Sequence, residues 1–577
     1  MTPQPIYRLG LLLTLELAVT VPFLYGQSKA PADTLRRNLT VLTSESIELG
    51  EDIPDKHSFV MSKPKPIVSK QLVPSVLPQL SAGLKAPALV GLDSLQPIPP
   101  IRPGLGYASA SLGLAYSAQI SAGIRPINTE SRLLDLHLAA HWSRYKYYHT
   151  QSLPQELAQS ALRLGISYKQ KLNSLYYKLQ SSYYTDHYPA FGIVTDPISD
   201  RGPILWDIGT PSPLVRSGLL RLSGEIGSRA TDTEAWHYRL TPSLAIGRRA
   251  LAQDVELELD GRIGYELKSS HLALDANLAY WNCSPREGQH HKLTYTNLAP
   301  SWSMEQETDR WSWRAKVGAK LSFGSKSVGH SALLISPNMS ASIGFADWIQ
   351  LSLNLDGGIS GKRLSDVIDT MPYLRLSSPE ALTHTPWSSR LSLELLPLTN
   401  LSIVLSGSYT RHRGAEGITP TIVGQAVIEH HRYYENANHW SIGTIVRYRT
   451  SHWLETEATA TYHHWQTDGG RTYLGGKPTL DLGASLNLTP NERYRIGLAY
   501  HLSGDYRYPL LNSQDTWASK PYTLGIVGQL TASASYLLTS KISLLSYAHY
   551  ITTTEADRAI GFPEERFRAI VGVNWIF

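Results

Sequence analysis

The sequence predicts an all-β chain: a transmembrane antiparallel β-barrel of about 22 strands behind a short proline-rich N-terminal segment. Three observations predict it. From about Gly104 to the last residue, segments of 9–13 residues alternate apolar and polar side chains. No stretch of 18 apolar residues occurs beyond the N-terminus, which excludes a helical membrane bundle. Tyr (32) and Trp (14) are abundant while Phe (8) is scarce, as an interfacial girdle requires, because those rings bury a body and keep a polar edge wet.

Residues 1–27 read as a secretory signal, with Arg8 as the positive end, Leu9 to Tyr25 as the apolar stretch and Gly26–Gln27 as the cleavage neighbourhood. Glu16 and Pro22 argue against a retained membrane helix, since a carboxylate at the bilayer centre is costly. Residues 28–103 form a separate segment in which aromatics nearly vanish and prolines crowd between Pro54 and Pro103. Proline fixes φ and removes a ladder donor, so the segment is expected to be extended, with one short strand at Leu39–Leu42. It is either a plain tether or a piece that enters the barrel lumen or docks a periplasmic partner.

Residues 104–577 are the barrel. A strand crossing a bilayer at a tilt needs about 9–11 residues. In 311–323, Trp311, Trp313, Ala315, Val317, Ala319, Leu321 and Phe323 share one face, opposite Arg314, Lys316 and Lys320. In 255–265, Val255, Leu257, Leu259, Ile263 and Tyr265 oppose Glu256, Glu258, Asp260 and Arg262. The next segment sets Leu272, Leu274, Leu278 and Tyr280 against Asp275 and Asn277, and 480–488 sets five apolar residues against Asp481, Ser485 and Asn487. A lipid-facing Arg or Lys near mid-bilayer costs roughly 2–4 kcal/mol, so the charged row belongs inside. Glu256, Glu258, Asp260, Arg262, Asp275, Arg314, Lys316 and Lys320 are therefore the lumen-facing candidates.

Ten short turns, at 126–131, 171–174, 228–234, 266–271, 304–310, 344–347, 396–400, 449–453, 489–492 and 538–541, alternate with longer loops. The loops are longest at 185–212, 358–386, 411–438, 504–520 and 552–565. Short periplasmic turns and long extracellular loops give an even strand number with both ends periplasmic. The last strand alternates Phe567, Ala569, Val571, Val573, Trp575 and Phe577 with Arg568, Ile570, Gly572, Asn574 and Ile576. An amphipathic final strand ending in an aromatic is similar to the signal read by the outer-membrane assembly machinery, with Trp575 and Phe577 as its key residues.

The stretch Arg37-Asn38-Leu39-Thr40-Val41, the prolines of 54–103 and the opening Gly106-Tyr107-Ala108 together resemble the TonB-dependent receptor-like outer-membrane barrels of Bacteroidota. The resemblance covers the layout of the whole mature chain. It implies location in the outer membrane of a Gram-negative bacterium, a large strand number and contact with outer-membrane lipid. Residues 28–103 are too short and too rich in proline for a globular plug, so the likeness is to a plug-less variant.

Two functional readings stand. In the first, a solute, not identified by the sequence, passes or is taken up through a porin-like lumen too wide for side chains alone to fill. In the second, a surface-binding or structural barrel engages a periplasmic, lipoprotein or extracellular partner. The pairs His290–His291, His430–His431 and His463–His464 lie in or near expected loops and are the candidates for metal or haem. Adjacent histidines diverge in a strand, so neither a metal nor a cofactor is assigned. No Ser/His/Asp constellation, phosphate-cradling glycine loop or dinucleotide fingerprint is recognisable, which leaves no basis for an enzyme. The formal charge of +5 is small for this length and spread out, which argues against a nucleic-acid partner, and the single Cys283 has no partner for an internal disulfide.

Overall fold

The computed structural model describes residues 105–577 apart from 115, 148–154, 173, 190–192, 195–213, 229–235, 250–251, 268–269, 286–289, 309–310, 326–332, 346–347, 362–381, 424–425, 451–452, 511–520, 553–556, 560–561 and 564–565. The expected signal, the proline-rich segment 28–103 and the short strand at Leu39–Leu42 lie outside these residues.

Among the described residues, 22 antiparallel strands pair in chain order and close into one ring. Each strand bonds the next, from Gly106–Gly113 and Ser117–Asn128 round to Ile542–Ile551 and Phe567–Ile576. The last then bonds the first, with Tyr107 opposite Ile576 and Gly113 opposite Ile570. One strand is broken at Asn338 into Leu333–Pro337 and Met339–Phe345, and both halves pair with Trp311–Gly324. Closure leaves no sheet edge, the condition under which strands can stand in hydrocarbon.

The ten short turns fall where the alternation breaks, within four residues of the expected bounds, and all lie at one end of the barrel. Several share one device. The hydroxyls of Thr129, Thr308 and Thr539 accept the backbone N–H groups of Arg132 (2.9 Å), Trp311 (3.2 Å) and Ile542 (3.0 Å), and the Asn491 side chain does the same for Tyr494 (3.1 Å). Such side chains mimic a backbone turn and so close it in four residues.

The opposite end departs from the sequence reading in several loops. Within 504–520, Tyr506–Tyr508 pairs with Tyr522–Leu524, and within 552–565, Asp557–Ala559 pairs with Phe562–Pro563. The largest departure is a third. The expected loop 411–438 is mostly strand: Leu401–Val423 and Ala426–Arg449 form one hairpin that runs far beyond the neighbouring strands. There Ala415 and Ala437 are buried against Leu474, and Thr419 and Arg432 are buried as well, so the two-residue alternation that marks a membrane strand fades, although the ladder continues past a bulge at Gly414 (φ +73°). Its tip pairs with Ile193–Val194, inside the expected loop 185–212. That segment follows Leu175–Pro189, the fifth strand, whereas Ala426–Arg449 is the sixteenth, so the pairing joins opposite walls of the ring.

The two faces differ as the alternation requires. Leu257, Ile263, Leu272, Leu274, Leu278, Trp311, Val317 and Phe323 are exposed, as are Val571, Val573, Trp575 and Phe577. The polar face is the concave one: the Asn297 amide donates to the carbonyl of Ile359 (2.9 Å) three strands away, a reach that converging side chains allow. At the seam, Gly106 donates to the Phe577 carbonyl and accepts from the Phe577 N–H, both at 3.0 Å. A Cβ at Gly106 would stand 2.7 Å from both the Phe577 ring and the Gly123 carbonyl. Gly106→Val is therefore expected to abolish the heat-modifiable folded band on a gel, whereas Gly218→Ala, which meets only the Tyr183 hydroxyl at 3.8 Å, leaves it unchanged.

Candidate functional site

The eight sequence-predicted charged residues all lie on the polar face, but the structure groups them differently from their order in the chain. Register places Arg262 opposite Asp275, and their side chains approach to 3.6 Å. Asn277 donates to both Glu258 (3.1 Å) and Asp260 (2.6 Å), bridging two carboxylates that would otherwise repel. Glu256 is buried opposite Trp281. Arg314, Lys316 and Lys320 donate to other groups. Arg314 Nε donates to Glu305 (2.9 Å), Lys316 to Asn338 (3.0 Å), and Lys320 to Asp356 (2.6 Å) and the Gly357 carbonyl (2.7 Å). Local charge neutralisation across neighbouring strands is the rule on this wall. Trp575 and Phe577 touch each other, with ring centroids 4.9 Å apart.

The histidine pairs separate as strand geometry dictates. His290 contacts Ser284 (3.0 Å), and His291 lies opposite Cys283 in register. His430 and His431 lie in the long hairpin opposite Pro420 and Thr419, so they are strand residues rather than loop residues. His464 lies opposite Trp440, on the side of the exposed aromatic row, whereas His463 lies opposite Ser441 on the polar face. Among the described residues no group of three or more His, Cys, Asp or Glu is arranged to hold a metal ion.

His463 instead belongs to a cluster that sequence reading missed. His439 Nε2 and His463 Nδ1 are 3.1 Å apart, with rings tilted by only 20° and centroids at 5.3 Å. These values describe two nearly coplanar imidazoles joined edge to edge. The far nitrogen of His463 faces Asp481 (3.4 Å), whose other oxygen faces His501 (3.9 Å) and accepts from Ser503. The Trp465 ring stacks on His439 at 4.1 Å and 18°, and lies within 6.0 Å of His412, which touches Thr385 (3.3 Å). These residues come from neighbouring strands between Thr383–Leu398 and Tyr494–Gly504. On the other face, the Tyr409 and Trp440 rings, opposite each other in register, lie 4.4 Å apart and tilted by 46°. No local pattern marks the cluster, because its members are 16 or more residues apart along the chain except where one strand holds two.

Above it sits a packed cap. Leu474 is buried with Ala415 and Ala437, and Tyr433 and Trp465 pack around them. Ile418 N–H donates to the Gly475 carbonyl (3.0 Å), Gly476 N–H to that of Arg507 (3.2 Å), and the Thr419 hydroxyl to that of Pro509 (2.5 Å). Gly476 needs its freedom, with φ at +74°. The Tyr433 hydroxyl accepts the Gly475 N–H (2.9 Å); burial first, then the nearby Glu435 carboxylate, hold that phenol above its ordinary pKa. Arg471 pairs with Glu435 and lies 5.5 Å from the Tyr433 ring. Trp465 thus serves both the cap and the histidine cluster.

No protein-family model matches the chain, and no curated protein matches it. Solved structures do. The ferric-catecholate import receptor Fiu of E. coli K12 aligns with a TM-score of 0.57 and 9% identity, over 83% of this chain and 82% of that one. The barrel is similar in fold to the TonB-dependent receptors. The FrpB iron transporter of Neisseria meningitidis (F3-3 variant) aligns at 0.58 and 8% identity over 82% and 81%, and the copper transporter OprC at 0.55 and 11% over 82% and 80%. At these identities the likeness concerns the fold.

Tyr433→Phe should leave the Gly475 N–H without its acceptor, at about 1–3 kcal/mol. The expected result is faster amide hydrogen exchange around residue 475, with exchange in the strand Leu480–Asn491 unchanged. Because the phenol is held in its neutral form, wild-type protection there should not fall as the pH is raised from 7 to 10.

Proposed function

We propose that the chain is an outer-membrane barrel of a Gram-negative bacterium that passes or takes up a solute along its polar inner wall. The observation that carries this reading is the closed ring of 22 strands with apolar rows exposed on one face and paired charges on the other. A ring of that size is wider than its own side chains can fill. Glu256, Glu258, Asp260, Arg262, Asp275, Arg314, Lys316 and Lys320 line the passage, and their salt bridges keep the wall wet without a strong field of one sign.

In this reading residues 1–27 are removed on export, Trp575 and Phe577 address the chain to the assembly machinery, and the end with the tight turns faces the periplasm. Residues 28–103 then join the barrel at the periplasmic rim, where Gly106 is bonded to Phe577. The names of the similar structures speak of iron and copper; the solute of this chain is defined by its own wall.

Planar bilayers test the reading. Either the full chain or the chain without residues 28–103 should open a conductance. Replacing Arg314 and Lys320 by Glu should shift its ion selectivity several-fold toward cations, since charge on the wall sets the preference. Absence of a conductance from both forms would overturn passage.

A further inference from the structure

The histidine cluster has a property that paired charges on the rest of the wall lack: two imidazole nitrogens that face each other edge to edge at 3.1 Å. We propose that His439 and His463 form a two-nitrogen site for a borderline transition-metal ion, copper(II) above others, near the outer end of the inner wall. Three observations support it.

First, the spacing fits. Nitrogen ligands bind zinc-like ions at about 2.0–2.1 Å, so two nitrogens at adjacent corners of a square or a tetrahedron stand about 2.9–3.4 Å apart. His439 Nε2 and His463 Nδ1 are 3.1 Å apart in one hydrogen bond; an ion would displace the proton they share, and each ring would swing within its own plane for both lone pairs to converge.

Second, the far side of the pair is built as ligating histidines usually are. Both facing nitrogens must be bare to coordinate. With the His463 proton on Nε2, it faces the Asp481 carboxylate at 3.4 Å, and Asp481 itself accepts from Ser503. A carboxylate behind a ligating imidazole fixes its tautomer and raises its basicity. Third, Trp465 stacked at 4.1 Å fixes the plane of His439.

The donor set limits the ion's role. Among the described residues no third His, Cys, Asp or Glu converges with these two, so positions stay open for water or for ligands that arrive with the ion. That suits cargo rather than a structural metal, for which four protein ligands are usual. Neutral imidazole pairs favour copper over zinc or manganese in the ordinary affinity order. Treating the ion as cargo rests on the passage reading above; binding does not, and it is measured without a membrane potential or a gradient.

The test uses the full chain in detergent, titrated with copper(II) alone. One equivalent should bind tightly, and its paramagnetic resonance spectrum should show coupling to two nitrogens. His439→Ala with His463→Ala should remove that equivalent, Asp481→Asn should weaken it about 10–100-fold, and His290→Ala with His291→Ala should leave it intact. Heat-modifiability on a gel checks that each variant is folded. Two results would overturn the site: a wild-type spectrum without two-nitrogen coupling, or a folded double variant that binds copper as the wild type does. Conductance without copper binding removes the site and leaves passage standing; copper binding without conductance does the reverse.

Discussion

Every feature of this molecule depends on pairing the backbone completely. A peptide N–H or carbonyl left open in hydrocarbon costs several kcal/mol, so strands in lipid must close on themselves. Here the burden falls on a short seam, where Gly106–Gly113 meets Phe567–Ile576. Nothing bulkier than hydrogen fits at Gly106, because the last ring of the chain occupies that space. The same closure obliges side chains to choose between two solvents. The exposed rows of Leu, Val and Trp, and the salt-bridged rows opposite, are the consequence of that choice repeated 22 times.

This division explains what could be read from the chain. The strand number and the tight turns were legible because each strand records its two faces in consecutive residues, and Thr129, Thr308 and Thr539 mark the closures. The charged wall was legible as a face but not as a set of partners. Arg314 and Arg262 look alike in sequence, yet one meets Glu305 and the other Asp275, since partners depend on register between strands. The hairpin from Leu401 to Arg449 was misread in its outer half for a related reason. Past the apolar rows, packing of the hairpin against the chain around Leu474 replaces the division between the two faces and erases the alternation. The cluster of His412, His439, His463 and Asp481 was invisible because each residue sits alone in its own strand.

The outer part of the barrel is organised round that hairpin. It supplies His412 and His439 to the wall, Ala415, Ala437 and Tyr433 to the cap, and a tip that pairs with the opposite wall. Trp465 joins these roles, with its ring against His439 and its side within the apolar core of the cap. Rearrangement at the imidazoles is thereby coupled to the packing of Leu474 by direct contact.

The turns at the other end leave very little slack. From Asn491 to Tyr494 the chain reverses in four residues. A strand shifted by one position exchanges its faces. One residue inserted there would carry Arg495 outward among Ile496 and Leu498 and draw their side chains toward the wet wall, while the same insertion between Pro285 and His291 would only lengthen a loop. Length can therefore vary on the looser connections of one rim, outside the cap and the tight turn between Gly113 and Ser117, and hardly at all on the other rim.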